Sequence, residues 1–411
     1  SDFDDQSLTL GAKSAISGVK SIDASILSDV NNVTINATDY ALSLQVETAG
    51  GDDIVTAGKG LDTYILGGGD DSITFKSAYL LGDSIQGGEG KDTIIISDLA
   101  NLTDNVFSGV SGVEKLKLSS ATGTTKVSLG TYAKQGGIVE LDGSSLTGAS
   151  TIDLSSLTID FTTKTGSGDD SITLGSGKST VSSGAGNDII GINATDITSD
   201  DVINGGEGSD KMIILSASTS GSTELVDADF THVTSIETLV FSNFGNQKVT
   251  AANTFKSSGI STIDATLLTT GNSIEVDLSG IDTSAFTTLT GAGNDIVKLG
   301  SSNDTVSLGA GNDQIKISSD NLSSADVLDG GLGVDTLEII DSAVIVDDDF
   351  SAIKNIETLK LGNFANQKIT LGAKASASLL ATVDGSASTY ADEIDARYVT
   401  SKMSIKTGAG A

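Results

Sequence analysis

A nine-residue period constrains this chain more than any other feature. Residues 48–74 read TAGGDDIVTAGKGLDTYILGGGDDSIT, three consecutive nonapeptides, and residues 165–191 and 290–316 hold three more each. One further unit follows each trio, at 87–95, 205–213 and 330–338, with its aspartate 21 or 22 residues beyond the last one. Aligned as G-G-x-G-x-D-x-U-x, the twelve units carry Gly at the second position in eleven (Ala49 departs) and at the fourth in eleven (Ser302 departs). The sixth position is Asp in eleven, with Ser179 the exception, and the eighth is apolar in all twelve, from Val55 to Leu337.

Nine residues divide into a six-residue turn and a three-residue strand. Glycine lets the turn enter backbone conformations closed to other residues and brings carbonyl oxygens inward. The sixth-position Asp adds a carboxylate near those carbonyls, while the eighth side chain points the other way into a packed interior. Two units then make one coil of a flattened parallel β-helix, with turns n and n+2 stacked. The predicted fold class is all-β: a parallel β-roll or β-helix solenoid whose nonapeptide blocks alternate with Thr/Ser-rich β segments that continue the stack.

A longer period encloses the short one. Thr48, Thr165, Thr290 and Thr407 each open a block, at spacings of 117, 125 and 117 residues. The division that follows is 1–47 as the end of a preceding β unit and 407–411 as the start of a truncated block, with three repeat units between. Those units are 48–164 (block 48–95), 165–289 (block 165–213) and 290–406 (block 290–338). The landmarks Asp83-Ser84-Ile85, Asp201-Val202-Ile203 and Asp326-Val327-Leu328 recur before each fourth unit. Strands beginning Val113-Glu114, Ile236-Glu237 and Ile356-Glu357 recur after it, followed by NQKVT at 246–250 and NQKIT at 366–370. Residues 8–13 (LTLGAK) match 369–374 (ITLGAK), so an internal slice of a longer repetitive protein is expected.

Charge narrows the function. Against 23 Lys+Arg stand 55 Asp+Glu, a formal charge of −32, which disfavours nucleic acid. Asp outnumbers Glu by 44 to 11, the balance of turns and not of helices. No apolar run approaches the ~20 residues of a spanning helix, so no membrane insertion is expected. Zero Cys excludes thiol chemistry and disulfides, and the lone His232 excludes a His-rich metal site. With no H-E-x-x-H, no G-x-S-x-G and one histidine, an enzyme is not expected.

Stacked elbows of carbonyl oxygens and Asp carboxylates form the all-oxygen shell of a hard cation, and the flexible geometry suits Ca²⁺ better than Mg²⁺. Without the ion, two carboxylates about 5 Å apart at an effective dielectric of ~20 repel by roughly 3 kcal/mol. Repeated through a block, that is comparable with the ~5–15 kcal/mol stability of a domain. Disorder without metal and ordering upon binding it are therefore expected.

At this point the units resemble the RTX (repeats-in-toxin) nonapeptide, whose tandem copies form calcium-filled parallel β-rolls. The resemblance implies several bound Ca²⁺ ions held by Asp53, Asp62, Asp71, Asp92, Asp170, Asp188, Asp210, Asp295, Asp304, Asp313 and Asp335. Gly51, Gly60, Gly168, Gly186, Gly293 and Gly311 would offer main-chain carbonyls. Asp83, Asp201 and Asp326 would complete the fourth unit's site, and a site at Ser179 would be weak or empty. In the pairs Asp52-Asp53, Asp70-Asp71 and Asp169-Asp170 the neighbour of the ligand (Asp52, Asp70, Asp169) is expected to be solvated, as are Asp227, Asp229 and Asp347-Asp348-Asp349. Glu114, Glu237 and Glu357 are expected on an outward strand face, and Tyr64 in the core.

The arrangement of blocks and Thr/Ser-rich strands is similar to calcium-dependent surface-layer (S-layer) proteins of Gram-negative bacteria. That likeness implies a secreted structural protein at the cell surface, exported by type I secretion and assembled by extracellular Ca²⁺. Its partners would be copies of itself in a lattice, with cell-surface polysaccharide anchoring through regions outside this sequence. The alternatives are the stalk of a large RTX adhesin or motility-associated surface protein, and the repeat region of an RTX exoenzyme.

Overall fold

The computed structural model describes residues 5–11, 13–14, 18–27, 31–98, 101–119, 122–216, 222–342 and 344–410. Ala12 and Ala411, which belong to the opening and closing segments of the repeat pattern, lie outside them. The chain forms two compact units, Ser1–Gly191 with Asp201–Asp210, and Ile192–Asp200 with Lys211–Ala411. Each is a solenoid of short parallel strands.

In the first unit one sheet runs through Val33–Asn36, Ile54–Thr56, Ser72–Phe75, Thr93–Ile96, Lys115–Leu118, Glu140–Asp142, Phe161–Lys164 and Ser179–Ser182. Every neighbouring pair is parallel and in register: Val55 pairs with Ile73, Ile73 with Ile94, and Ile94 with Leu116. Units n and n+2 therefore stack, because one coil of two nonapeptides takes 18 residues, from Val55 to Ile73. The facing strands Gln45–Glu47, Thr63–Gly68 and Ser84–Glu89 form a second sheet. It ends at Val110–Ser111, and a third takes over through Asn101–Leu102, Thr125–Ser128, Ser150–Asp153 and Ser171–Thr173. The Thr/Ser-rich segments thus continue the stack.

The second unit repeats the plan. Ile274–Asp277, Ile296–Lys298, Gln314–Ile317, Thr336–Ile339 and Thr358–Leu361 stack in one sheet. Thr262–Asp264, Thr287–Leu289, Thr305–Ser307 and Val327–Asp329 stack in another.

Alternation along three-residue strands puts the eighth-position residue inside. All twelve of these side chains are buried, from Val55, Tyr64 and Ile73 to Val306, Ile315 and Leu337. Each fully buried Ile, Leu or Val contributes roughly 1.5–3 kcal/mol. Tyr64 packs edge-on against Phe75, with ring centroids 5.8 Å apart. In the NQK segments the glutamine turns inward too, Gln367 Nε2 donating to the Gly362 carbonyl at 3.0 Å and to Asp392 at 3.1 Å.

One coil per repeat unit carries an extra side. After Thr93–Ile96 the chain makes Asn101–Leu102, a 3-10 turn Asp104–Phe107 and Val110–Ser111 before Lys115–Leu118. Asp347–Phe350 holds the same place between Val344–Ile345 and Ile353–Lys354. Phe107, Phe230 and Phe350 anchor these turns in the core. Of the acids expected to be solvated, Asp227, Asp229, Asp347 and Asp349 are fasteners here, and Asp104 is another. Asp104 accepts from Gly130, Tyr132 and Ala133 N–H (2.7–2.9 Å) at the start of the short helix Thr131–Gly136 in the next coil. Asp227 does so for Ala252 and Phe255 (both 2.8 Å), and Asp347 for Gly372 and Ala375 (2.7 and 3.0 Å). Asp229 and Asp349 each accept the N–H three residues back, from Val226 and Val346, at 2.9 Å. Free helix N–H groups need acceptors, and a carboxylate on the stacked coil is within reach of three at once.

Candidate metal centres

The sixth-position aspartates stand in columns along the elbows. Each carboxylate Oδ1 accepts the N–H of the residue one coil earlier. Asp53 takes it from Val33 (2.6 Å), Asp71 from Asp53 (2.7 Å) and Asp92 from Asp71 (2.9 Å). In the second block Asp170, Asp188 and Asp210 accept from Ser150, Asp170 and Asp188 at 2.6–2.8 Å. In the third, Asp295, Asp313 and Asp335 accept from Ile274, Asp295 and Asp313 at 2.7–2.8 Å.

A shorter column runs along the opposite edge of each block. There Asp62 accepts from Leu44 and Asp304 from Phe286, both at 2.8 Å. Asp83 accepts from Asp62, Asp201 from Ser179 and Asp326 from Asp304, at 2.7–2.9 Å. Asp83, Asp201 and Asp326 thus stack on the second unit of their block and not beside the fourth unit's aspartate. Ser179 keeps its N–H bond to Asp201 while contributing no carboxylate of its own.

The second oxygen of these aspartates is what distinguishes the elbows. Oδ2 of Asp53, Asp71, Asp83, Asp92, Asp170, Asp188, Asp295, Asp313 and Asp335 is buried without a hydrogen-bond partner. A buried carboxylate oxygen without a partner costs free energy that folding must offset. Desolvation accordingly pushes these carboxyls up, reinforced by neighbouring carboxylates: Asp71 to about 8, Asp313 and Asp83 to about 7, and Asp92, Asp188 and Asp335 to about 6. Asp62 and Asp326 differ in their bonding, for the Tyr64 hydroxyl donates to Asp62 Oδ2 at 2.9 Å and the Ser323 N–H to Asp326 Oδ2 at 2.8 Å.

The glycines complete the donor set. A Cβ on Gly69 (φ +113°) would lie 2.3 Å from the Gly51 carbonyl oxygen, and one on Gly186 (φ +125°) 2.5 Å from that of Gly168. A Cβ on Gly311 would lie 1.8 Å from the Gly293 carbonyl oxygen, and one on Gly60 2.4 Å from that of Leu42. The elbows therefore turn carbonyl oxygens into the gap between coils, where no side chain fits. Among the described residues no three acidic or histidine side chains converge on one point. Backbone oxygens would have to supply most of a cation's shell, as expected for a hard ion of coordination number six to eight. Buried unpartnered carboxylate oxygens beside carbonyls fit Ca²⁺.

Not every acid is of this kind. The fifth-position side chains form a second ladder of opposite direction: Asp52 Oδ1 accepts from Asp70 N and Asp70 Oδ1 from Lys91 N, at 2.9 and 2.8 Å. Asp169 accepts from Asn187, and Asn187 from Ser209, at 2.8 and 2.9 Å. These neighbours of the sixth-position aspartates are more than solvated acids. Outside the blocks Asp142, Asp153, Asp277 and Asp384 close local turns onto the Ser hydroxyl two residues on, at 2.5–2.6 Å. Against partial desolvation, Lys115 and Ser144 hold Asp142 down at about 2.

Two further residues join the columns unannounced. Glu114 Oε2 accepts the Asp92 N–H and Glu357 Oε2 the Asp335 N–H, both at 2.8 Å. The expectation of an outward strand face fails for both, because each precedes its strand and bends back to the elbow. The signal was present: 21 or 22 residues separate Asp62 from Asp83, Asp71 from Asp92, and Asp92 from Glu114. His232 Nδ1 lies 2.9 Å from the Ser199 carbonyl oxygen. Among the described residues no helix is long and apolar enough to cross a membrane.

No relative was found among curated proteins. A family model of the RTX calcium-binding nonapeptide repeat, four copies long, matches residues 46–73, 82–95, 164–190, 198–213, 289–315 and 323–337. The matched segments hold the aspartates of both columns in every block, Asp83, Asp201 and Asp326 included. Each of the three blocks of this β-solenoid is therefore built of RTX calcium-binding nonapeptide repeats.

Proposed function

We propose that this chain is a structural, non-catalytic calcium-binding region of a secreted bacterial cell-surface protein, an S-layer subunit whose folding and lattice assembly follow extracellular Ca²⁺. The observation that carries the reading is the rank of buried, unpartnered Asp Oδ2 atoms along the elbows. Bound there by the sixth-position aspartates and glycine carbonyls, calcium would supply the positive charge that the fold itself lacks. Sites of the extracellular kind, with dissociation constants of ~10⁻⁴–10⁻³ M, fill outside a cell and stay empty inside it. The chain would then remain unfolded for export and stiffen afterwards.

Repetition of one block-plus-spacer unit supports a lattice-building role, since identical units offer identical contacts at regular intervals. The partners would be other copies of the parent protein, with polysaccharide anchoring elsewhere in it. Negative-stain microscopy of the chelated and calcium-loaded protein tests this. Ordered sheets that appear with calcium and dissolve with chelator are expected. Isolated particles at every calcium concentration would overturn the lattice and favour an adhesin stalk.

A further inference from the structure

The first position of the nonapeptide is Thr, Ala, Leu or Ser in every unit of the trios, but Gly in each fourth unit: Gly87, Gly205 and Gly330. In the trios a hydroxyl at that position (Thr48, Thr165, Thr290) lies beside the sixth-position carboxylate and donates to the carbonyl of the next coil at 2.5–2.7 Å. In the fourth units that place is vacant of side chain, and oxygens converge on it. A Cβ on Gly87 would lie 1.8 Å from the Gly112 carbonyl oxygen and 2.4 Å from Asp92 Oδ2. On Gly330 it would lie 2.0 Å from the Asn355 carbonyl oxygen and 2.8 Å from Asp335 Oδ2. Both aspartates are fully buried, and both Oδ2 atoms are without a partner.

The coil that closes each cradle lies outside the nonapeptides. Gly112 and Asn355 take the left-handed conformation (φ +61° and +53°), and Ser235, their counterpart in sequence, does likewise (φ +53°). Such a conformation is costly for Ser and tolerable for Asn. The next residue but one is the glutamate that accepts the last aspartate's N–H, Glu114 or Glu357. A carbonyl and an aspartate Oδ2 thus meet where one coil of the block faces the first coil beyond it, with a glutamate of that coil on the same aspartate's N–H.

We propose that each of these two columns ends in a further divalent-cation site, in which Glu114 joins Asp92 and the Gly112 carbonyl, and Glu357 joins Asp335 and the Asn355 carbonyl. The glutamate and the left-handed residue are then metal ligands supplied by the spacer. The block's last ion ties it to the segment that follows. Gly87 and Gly330, having no Cβ, let the spacer carbonyl and the aspartate Oδ2 approach the same place. The inference rests on the elbows binding calcium, but it can fail alone.

The test is calorimetric titration of Ca²⁺ into the chelated full chain and into the variant Glu114→Gln/Glu357→Gln. The amide oxygen still accepts the backbone N–H, while the charge is gone. One ion per replaced glutamate should be lost or bound at least tenfold more weakly, with Glu275→Gln, on an exposed strand face, as control. Calcium binding by the native chain with unchanged stoichiometry and affinity in the variant would overturn the closing sites and leave the elbows intact. No binding by the native chain would overturn both. Should the variant fail to fold, a crystal structure of the native chain grown in calcium chloride decides. An ion within 2.3–2.6 Å of Asp92 Oδ2 and Gly112 O is expected, and water in that place would refute the site.

Discussion

Turn and elbow aspartates mark the two extremes of this chain's acidity. Turn residues such as Asp142 and Asp384 bond a hydroxyl two residues away and a lysine on a stacked coil, so their charge is met within the protein. Elbow residues such as Asp71 have one oxygen on a backbone N–H and the other buried with nothing beside it. The difference has a sign in pH. The Asp71 carboxyl is raised to about 8 by burial first and by its acidic neighbours second, against ~3.9 in the unfolded chain. Between those values the folded state holds more protons than the unfolded one, so metal-free stability falls as pH rises from about 4 through about 8. In chelator, thermal unfolding should therefore come at higher temperature at pH 5 than at pH 8. In calcium the order should reverse, since protons compete with the metal. Asp71→Asn keeps an oxygen for the Asp53 N–H and removes the charge. It should raise the unfolding temperature in chelator and weaken calcium binding at that elbow tenfold or more, about 1.4 kcal/mol or above by calorimetry.

The spacer elements obey a different chemistry from the blocks. Their coils are pinned by Asp104, Asp227 and Asp347, each holding the first N–H groups of a short helix on the next coil. Asp347→Ala should cost about 0.5–2 kcal/mol, the usual range for a lost helix cap, by urea unfolding. The loss should be equal with and without calcium, which separates a fastener from a ligand. These acids look solvated in sequence because nothing in DDDF says that a helix N-terminus will stack above it some 25 residues later. The blocks were legible for the opposite reason: Gly, Asp and an apolar residue recur in one short window, so the turn, column and core follow locally. Asp83 and Glu114 lay between. Their offset of 21 or 22 residues matched the coil length, yet neither completes a G-G-x-G-x-D turn that would mark it as an elbow.

At the scale of the whole molecule, parallel stacking was readable from periodicity, and so was the continuation through the Thr/Ser-rich segments. What periodicity could not show is that the extra side made by the Asp104–Phe107 coil exchanges the facing sheet. The long column of the first block follows the sheet of Ser72–Phe75, and that of the second follows the sheet of Ser171–Thr173. That exchange depends on the count of strands per coil, which one residue pattern does not encode. The stack is held throughout by buried apolar residues, but in the blocks those residues share their coils with carboxylates that oppose folding. On the proposed function, cohesion of the blocks would depend on the counter-charge of bound calcium. Far-UV circular dichroism of the chelated protein, followed as calcium is added at pH 7.5, tests this most directly. The account predicts a weakly structured spectrum that gains parallel-β signal between ~10⁻⁴ and 10⁻³ M Ca²⁺. A full β spectrum in chelator that calcium leaves unchanged would contradict it.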